Sequence, residues 1–157
     1  MSNNLQAFGI FEKQNITGAV ARDPANVGIL NVRPSAPISN ARRVFLNSFR
    51  IVPADNTPRQ ILQLVPVSST VRPNNIFPTG NFYLFPNWDA ATGALSVDYG
   101  SLGLLFASQD NRDTPVRSLN YRILDENGQS VDFDLCGFHF SVEYEDHPYN
   151  NFTTHHT

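Results

Sequence analysis

Apolar and polar residues alternate along much of this chain, most clearly in its last third. Residues 138–145 read Phe138-His139-Phe140-Ser141-Val142-Glu143-Tyr144-Glu145, so that every second side chain is apolar. Because successive side chains of a β-strand point to opposite faces, this pattern predicts a strand with one buried face. Two shorter strands are predicted at residues 119–124 and 129–133. The turn between them contains Asn127-Gly128, a pair typical of a tight hairpin in which both residues have a positive φ.

Further strands are predicted from short runs that are rich in β-branched and aromatic residues. These runs cover residues 5–11, 16–21, 27–32, 43–52, 59–67, 81–85, 94–98 and 102–107. Eleven prolines and nine glycines leave little room for helix. Residues 38–52 also fit a capped helix, but a strand at 43–52 is favoured, paired in a hairpin with 59–67 across residues 53–58. Ten or eleven short strands of this spacing predict an all-β, antiparallel sandwich or barrel.

The length of the chain is typical of one domain with a single core, which we place at residues 1–146. Residues 147–157 contain too few apolar residues to pack alone, so they are expected to form a disordered tail or an arm that orders against a neighbour. Cys136 is the only cysteine and cannot form a disulfide within the chain; we expect it to fill space in the core of a protein folded in a reducing compartment. No signal peptide or membrane span is predicted.

Charge is divided unevenly along the sequence. Residues 1–122 hold all eleven basic residues, ten of them arginine, and seven acidic ones, whereas residues 123–157 hold seven acidic residues and no lysine or arginine. Arginine suits interfacial carboxylates because its planar guanidinium binds them at two points. We therefore expect basic and acidic surfaces to meet, either within one chain or between copies. The candidate residues of an oligomer interface are Arg42, Arg43, Arg50, Glu143 and Glu145.

Candidate chemistry is sparse in this sequence. The four histidines, at positions 139, 147, 155 and 156, lack the i, i+4 or i, i+2 spacing that directs two imidazoles at one metal ion. A catalytic cysteine needs a general base and an orienting partner, and the sequence around Cys136 identifies neither. The sequence therefore predicts no nucleophile. We expect neither an enzyme nor a metal or cofactor site. The net charge of −3 argues against nucleic acid as the main partner.

Trp88 is the one candidate ligand platform. It lies between Asn87 and Asp89, and an aromatic ring flanked by an amide and a carboxylate is typical of a loop that stacks on a sugar and binds its hydroxyl groups. The same composition is expected where a solvent-facing turn folds its single aromatic residue back over the edge of the core. We favour this second interpretation.

Residues 119–145 also carry a resemblance to a known group of proteins. Residues 119–133, with their Asp125-Glu126-Asn127-Gly128 turn, and the strand at 138–145 resemble the closing hairpin and strand of virion proteins from polinton-like and adenovirus-like double-stranded DNA viruses. The resemblance implies a jelly-roll or related β-sandwich that serves as a minor capsid, penton or spike-head component. It transfers no site residue, because the matching segment is structural.

The function expected on this basis is that of a non-enzymatic structural virion protein. It would self-associate as a pentamer or trimer, contact other capsid proteins, and use residues 1–4 and the segment after residue 146 as arms. It would be found in the virion after assembly in a reducing host compartment, or, alternatively, in the cytoplasm. The alternative function is a carbohydrate-binding or receptor-binding β-sandwich module with Trp88 as its platform.

Overall fold

The computed structural model describes residues 10–67, 82–108 and 115–146 of the chain. The described residues form ten strands, all paired antiparallel, and contain no helix. The all-β antiparallel prediction is therefore confirmed. The strands are β1 (Ile10–Ala21), β2 (Ile29–Val32), β3 (Ala41–Pro53), β4 (Leu62–Pro66), β5 (Phe82–Leu84), β6 (Asn87–Asp89), β7 (Ala94–Asp98), β8 (Leu104–Ser108), β9 (Leu119–Leu124) and β10 (Phe133–Asp146).

The strands form two sheets with a nested order. The six-stranded sheet runs β1-β10-β3-β7-β6, and β8 also pairs with β3; the four-stranded sheet runs β2-β9-β4-β5. The first described strand thus pairs with the last, and the second pairs with the last but one. The nesting is that of a jelly-roll-like sandwich. Consecutive strands alternate between the two sheets from β1 to β4 and from β8 to β10, whereas β4 and β5 share one sheet and β6, β7 and β8 share the other. The hairpin of β6 and β7 widens the six-stranded sheet beside β3.

The core lies between the sheets and is centred on Phe106 of β8. Its ring lies 4.6 Å from the ring of Phe82 and 4.8 Å from that of Tyr121, both in the four-stranded sheet, and 5.5 Å from that of Phe140 in the six-stranded sheet. Fully burying a side chain of this size stabilises the fold by roughly 1.5–3 kcal/mol. Edge-on aromatic pairs add about 0.5–1.5 kcal/mol each. Phe106 therefore joins the two layers.

The hairpin predicted between residues 43–52 and 59–67 is wrong. β3 pairs with β10, β7 and β8, whereas β4 lies in the other sheet and pairs with β9 and β5. Both strands have a strongly apolar face, and stacking in two layers buries those faces against each other. Adjacent pairing would have put both faces on the same side of one sheet. The helix considered for residues 38–52 is likewise replaced by β3.

The Asn127-Gly128 turn has a different geometry from the predicted one. Gly128 has a φ of 76°, but Asn127 is not among the non-glycine residues of the described chain that have a positive φ. Asp125 organises the turn instead, because its Oδ1 accepts hydrogen bonds from the backbone N–H groups of Asn127, at 2.9 Å, and Gln129, at 3.0 Å. The strand predicted at 129–133 reduces to one bridge, between Leu124 and Ser130, before the chain crosses to β10.

Other boundaries are closer to the prediction. Residues 94–98 and 119–124 coincide with β7 and β9, and the strands predicted at 5–11 and 16–21 belong, from residue 10 onward, to one strand, β1. β6 was predicted as part of a turn. The proposed tail at 147–157, the proposed arm at 1–4 and three of the four histidines lie outside the described residues.

Candidate interaction surface

The outer face of the six-stranded sheet is built around β10, which lies between β1 and β3. The register places Lys13, Glu143 and Arg43 in one row across three strands, and Asn15, Ser141 and Phe45 in the next. Phe140 and Val142 point to the core, so these rows belong to the opposite face of the sheet. The polar residues of β10 therefore lie between two strands, and this explains why Ser141, Glu143 and Glu145 are buried.

Arg43 and Glu143 form a two-point ion pair on this face. The Nε of Arg43 donates to Oε1 of Glu143 at 2.7 Å, and its Nη2 donates to Oε2 at 2.9 Å. Glu143 is only 7 % exposed, whereas the guanidinium of Arg43 is about half exposed. The hydrogen bond to Glu143 raises the pKa of Arg43. A buried carboxylate is costly unless it is paired, so this contact satisfies Glu143 within its own chain.

Cations cover two aromatic rings beside this ion pair. The Nζ of Lys13 lies 4.1 Å from the centre of the Phe45 ring, and the guanidinium carbon of Arg43 lies 5.5 Å from it. The guanidinium carbon of Arg42 lies 4.8 Å from the centre of the Phe11 ring. At exposed sites each such contact contributes about 0.5–1 kcal/mol. The contacts also hold the charges and the rings in one arrangement.

A buried polar network fixes the loop at residues 99–103 against the same face. Asn47 and Ser141 are each 2 % exposed. The amide nitrogen of Asn47 donates to the carbonyl oxygens of Gly100, at 2.9 Å, and Ser101, at 3.1 Å. The hydroxyl group of Ser141 lies 2.5 Å from Oδ1 of Asn47 and 3.1 Å from Oδ1 of Asn15. Two consecutive loop carbonyls are thus bound by one buried side chain.

This loop displays Leu102. The Nζ of Lys13 lies 3.4 Å from the carbonyl oxygen of Leu102, while the leucine side chain is 79 % exposed. Gly103 has a φ of 72°, and a Cβ at this position would lie 3.0 Å from the Cβ of Phe45. Only glycine brings the loop so close to the sheet without strain. The backbone that carries the exposed Leu102 is therefore fixed by its hydrogen bonds to Asn47 and Lys13.

Together these residues form one contiguous surface, which we name the cation–aromatic patch. Phe11 and Leu105 are 50 % and 40 % exposed, and Leu105 is the register partner of Phe45. Aromatic residues and arginine are enriched at the energetic centres of protein interfaces. The members of the patch are Phe11, Lys13, Arg42, Arg43, Phe45, Leu102 and Leu105.

Neither a protein-family model nor a curated protein matches the chain.

The opposite end of the sandwich is acidic. The backbone N–H of Arg22 donates to the carbonyl oxygen of Asp134, and the backbone N–H of Ala54 donates to the carbonyl oxygen of Asp132. The loop after β1, the loop after β3 and the start of β10 therefore meet at this end. The turn after β6 joins them, since a Cβ on Gly93 would touch the side chain of Asn56. We name this region the acidic end. Asp125, which is buried, and Glu126 belong to it as well, because both act electrostatically on Arg59. Its carboxylates are those of Asp23, Asp55, Asp89, Asp125, Glu126, Asp132 and Asp134.

Three arginines oppose these seven carboxylates: Arg22 and Arg59 form ion pairs, and Arg50 acts electrostatically on Asp89. Arg22 contacts Asp132 at 2.7 Å, and Arg59 contacts Asp55 at 2.7 Å. Within the part of the chain that the structure describes, Glu126 and Asp134 are exposed and form no ion pair. The acidic end therefore retains uncompensated negative charge.

The five predicted interface residues do not lie together. Arg42, Arg43, Glu143 and Glu145 are neighbours at the patch, but Glu145 is 5 % exposed and Glu143 is engaged by Arg43. Arg50 lies further along β3, opposite Gly137 in the register. The sequence analysis did not identify the other members of the patch, which are Phe11, Lys13, Phe45, Leu102 and Leu105. Lys13 is conspicuous in the sequence only because it is the single lysine. Nothing in the sequence distinguishes the other members before the strand register is known.

Trp88 does not occupy the outer face. It pairs in register with Leu95, which is fully buried, and its half-buried ring packs against the hydrophobic core. Asn87 and Asp89 point to the other face, and the Oδ1 of Asp89 accepts a hydrogen bond from the N–H of Ala91. Hydrogen bonds from Thr92 and Ala91 lower the pKa of Asp89. Trp88 thus packs over the edge of the core from strand β6 and not from the predicted turn, and its role as a ligand platform stays a prediction.

Cys136 is fully buried, as predicted, and burial raises the pKa of its thiol. In the described segments no three His, Cys, Asp or Glu side chains converge as metal ligands. These same segments include no helix that is long and apolar enough to cross a membrane.

Proposed function

We propose that this chain is a non-enzymatic structural protein of a virion, a capsid, penton or minor capsid component, which self-associates through the outer face of its six-stranded sheet. The observation that carries the proposal is the cation–aromatic patch. Its two leucines and the ring of Phe11 are exposed beside three cations, on a face that hydrogen bonds and an ion pair hold in place. An exposed apolar surface with charged neighbours is typical of a protein-binding site.

The fold and the sequence add support of a weaker kind. Jelly-roll sandwiches build viral capsids, although the same architecture also occurs in lectins and cupins, so fold alone does not select a function. The resemblance of residues 119–145 to virion proteins favours the capsid role among these. Other capsid proteins are then the further partners.

Light scattering of the purified full-length chain at micromolar concentration tests self-association. We expect a defined homo-oligomer, a pentamer or a trimer, that dissociates in part between 0.1 and 1 M salt, because salt screens exposed charges. Electron microscopy of the same sample should show closed rings. A chain that stays monomeric across this range of concentration and salt would contradict the proposal.

A second candidate function is carbohydrate binding, which a shallow groove on the same outer face favours. The groove lies further along β3 and borders the loop at residues 99–103, whose Gly100 N–H donates to Asp98. Polar side chains that suit sugar hydroxyl groups line it beside Gly137, among them Ser48, Arg50, Ser96 and Asp98. Binding on a glycan array that Arg50→Ala abolishes and Trp88→Phe leaves unchanged would support it. No binding to any glycan by the wild-type chain would reject it.

A further inference from the structure

We infer that the cation–aromatic patch of one copy docks on the acidic end of a second copy of this chain. The inference rests on the proposed self-association and names the two surfaces that meet. It makes the contact heterologous, because each copy uses one surface to bind its neighbour on one side and a different surface on the other side. Such contacts build rings when the rotation closes.

Charge complementarity is the first argument for this pairing. Lys13, Arg42 and Arg43 bring three positive charges to the patch, and its carboxylates, Glu143 and Glu145, are buried beneath them. The acidic end carries seven carboxylates against three arginines, Arg22, Arg50 and Arg59. Opposite potentials across an interface guide association and disfavour wrong pairings. Two patches placed face to face would instead bring cations against cations.

The apolar residues of the two surfaces give the second argument. The patch exposes Phe11, Leu102 and Leu105, and the acidic end exposes Val27 and Leu135, at 41 % and 40 %. Leu135 directly follows the exposed Asp134. Each surface therefore combines apolar side chains with an excess of charge of one sign, which is the arrangement of an interface with an apolar centre and a charged rim.

The positions of the two surfaces give the third argument. The patch lies beside residues 141–145 of β10, and the acidic end lies at the start of the same strand. At about 3.3 Å per residue, the six to ten residues between Leu135 and the patch separate the two surfaces by roughly 20–30 Å. The two surfaces lie too far apart to satisfy each other in one folded copy. A second copy offers each surface its complement.

Charge reversal in three variants tests the inference. Lys13→Glu with Arg42→Glu reverses two charges of the patch, Glu126→Lys with Asp134→Lys reverses two charges of the acidic end, and a third chain carries all four changes. None of these residues takes part in the ion pairs of the described structure. We expect each single-surface variant to have the mass of one chain at concentrations where the wild type assembles. The four-fold variant should recover part of the assembly, because two new glutamates on the patch meet two new lysines on the acidic end.

Two controls keep the result interpretable. Arg122→Glu changes an exposed arginine on the outer face of the other sheet and should leave the assembled mass unchanged. Far-ultraviolet circular dichroism and the melting temperature identify variants that fail to fold, and Lys13→Gln with Arg42→Gln replaces the patch variant in that case, with weakened assembly expected.

The outcomes separate the two levels of the proposal. A monomeric wild-type chain overturns self-association itself. An oligomeric wild type whose mass survives reversal of the acidic end overturns the docking inference alone, and so does a four-fold variant that remains monomeric. A copy that binds patch to patch would give both of these last results.

Discussion

Arg43 and Glu143 are 100 residues apart in sequence and form a two-point hydrogen bond across neighbouring strands. Arg43 comes from residues 1–122, which hold all the basic residues, and Glu143 comes from the acidic residues 123–157. The two parts of the sequence therefore meet within one chain at this position. The carboxylate is buried and the guanidinium is half exposed. The main role of the pair is accordingly to stabilise the fold. It also places a cation at the surface of the patch.

Replacing Arg43 by alanine should destabilise the folded chain. The buried carboxylate of Glu143 would lose both of its hydrogen bonds, and losing hydrogen bonds to a charged group costs about 1–3 kcal/mol. Lys13, in the same row, can reach toward the vacated position and would keep the loss near the lower value. Urea unfolding measures the change.

Arg122→Ala is the matched control for this prediction, because Arg122 is exposed and forms no ion pair among the described residues. Its free energy of unfolding should stay within about 0.5 kcal/mol of the wild-type value. Equal effects of the two substitutions would show that the ion pair contributes nothing to stability. If Arg43→Ala instead lost assembly with unchanged stability, the arginine would act between copies.

Asp55 and Arg59 should make stability depend on acid pH. The guanidinium donates to the carboxylate at 2.8 and 2.7 Å, and this contact lowers the pKa of Asp55. A group whose pKa is lower in the folded chain stabilises it above the unfolded pKa, and this contribution disappears as the pH falls through the folded value. Stability should therefore decrease below about pH 4, the ordinary aspartate pKa.

Asp55→Asn isolates this contribution. The variant should be less stable than the wild type at pH 7, and the difference should shrink by pH 2–3, as urea unfolding at several pH values will show. The effect is expected to be small, because Asp55 is about half exposed and solvent screens the pair. A difference that is constant over this range would mean that the pair is not the source of the pH dependence.

Two glycines of the loop at residues 99–103 should respond differently to alanine. Both have a positive φ, 75° at Gly100 and 72° at Gly103, so each substitution costs about 1–2 kcal/mol for the left-handed backbone. A Cβ at Gly103 would also lie 3.0 Å from the Cβ of Phe45 and 3.1 Å from the carbonyl oxygen of Leu46, whereas nothing lies within 4 Å of one at Gly100. Overpacking adds about 1–3 kcal/mol at Gly103.

Thermal unfolding of the two variants compares the costs. Gly103→Ala should melt at a clearly lower temperature than Gly100→Ala, which serves as its control for the shared backbone cost. Equal melting temperatures would mean that the loop can move away from the sheet without loss, and the rigid display of Leu102 would then be wrong.

The sequence was sufficient for the class of the fold and for the core face of β10. The alternation at residues 138–145 predicted the burial of Phe140 and Val142, which is confirmed. It did not predict that Ser141 and Glu143 are buried as well, because a period of two does not reveal whether a strand is central or which loop covers it. The resemblance of residues 119–145 to virion proteins stays a prediction.

Strand partners were the other limit. Closeness in sequence predicts a hairpin of residues 43–52 with 59–67, but the strands they form lie in different sheets. The patch depends on such distant pairings, since Lys13 of β1, Phe45 of β3 and Leu105 of β8 meet only through the register. Sequence spacing contains no information on contacts of this kind before the topology is known.

Substitution of Leu102 should affect assembly of the chain without affecting its folding. Its side chain is 79 % exposed in the single chain, so Leu102→Ser removes little buried surface and should change the free energy of unfolding by less than about 0.5 kcal/mol. If the side chain is buried between copies, its loss removes roughly 1.5–3 kcal/mol from the contact. Since each 1.4 kcal/mol is a tenfold change in affinity, assembly should weaken by about ten- to a hundredfold.

Phe85→Ser is the matched control for this last prediction. Phe85 is 70 % exposed, follows β5 of the other sheet and belongs to neither docking surface. Sedimentation of both variants over a range of concentrations gives the two dissociation constants. We expect a shift for Leu102→Ser alone. A shift for Phe85→Ser alone would move the interface to the four-stranded sheet, and equal shifts would mean that exposed apolar residues associate without a specific site.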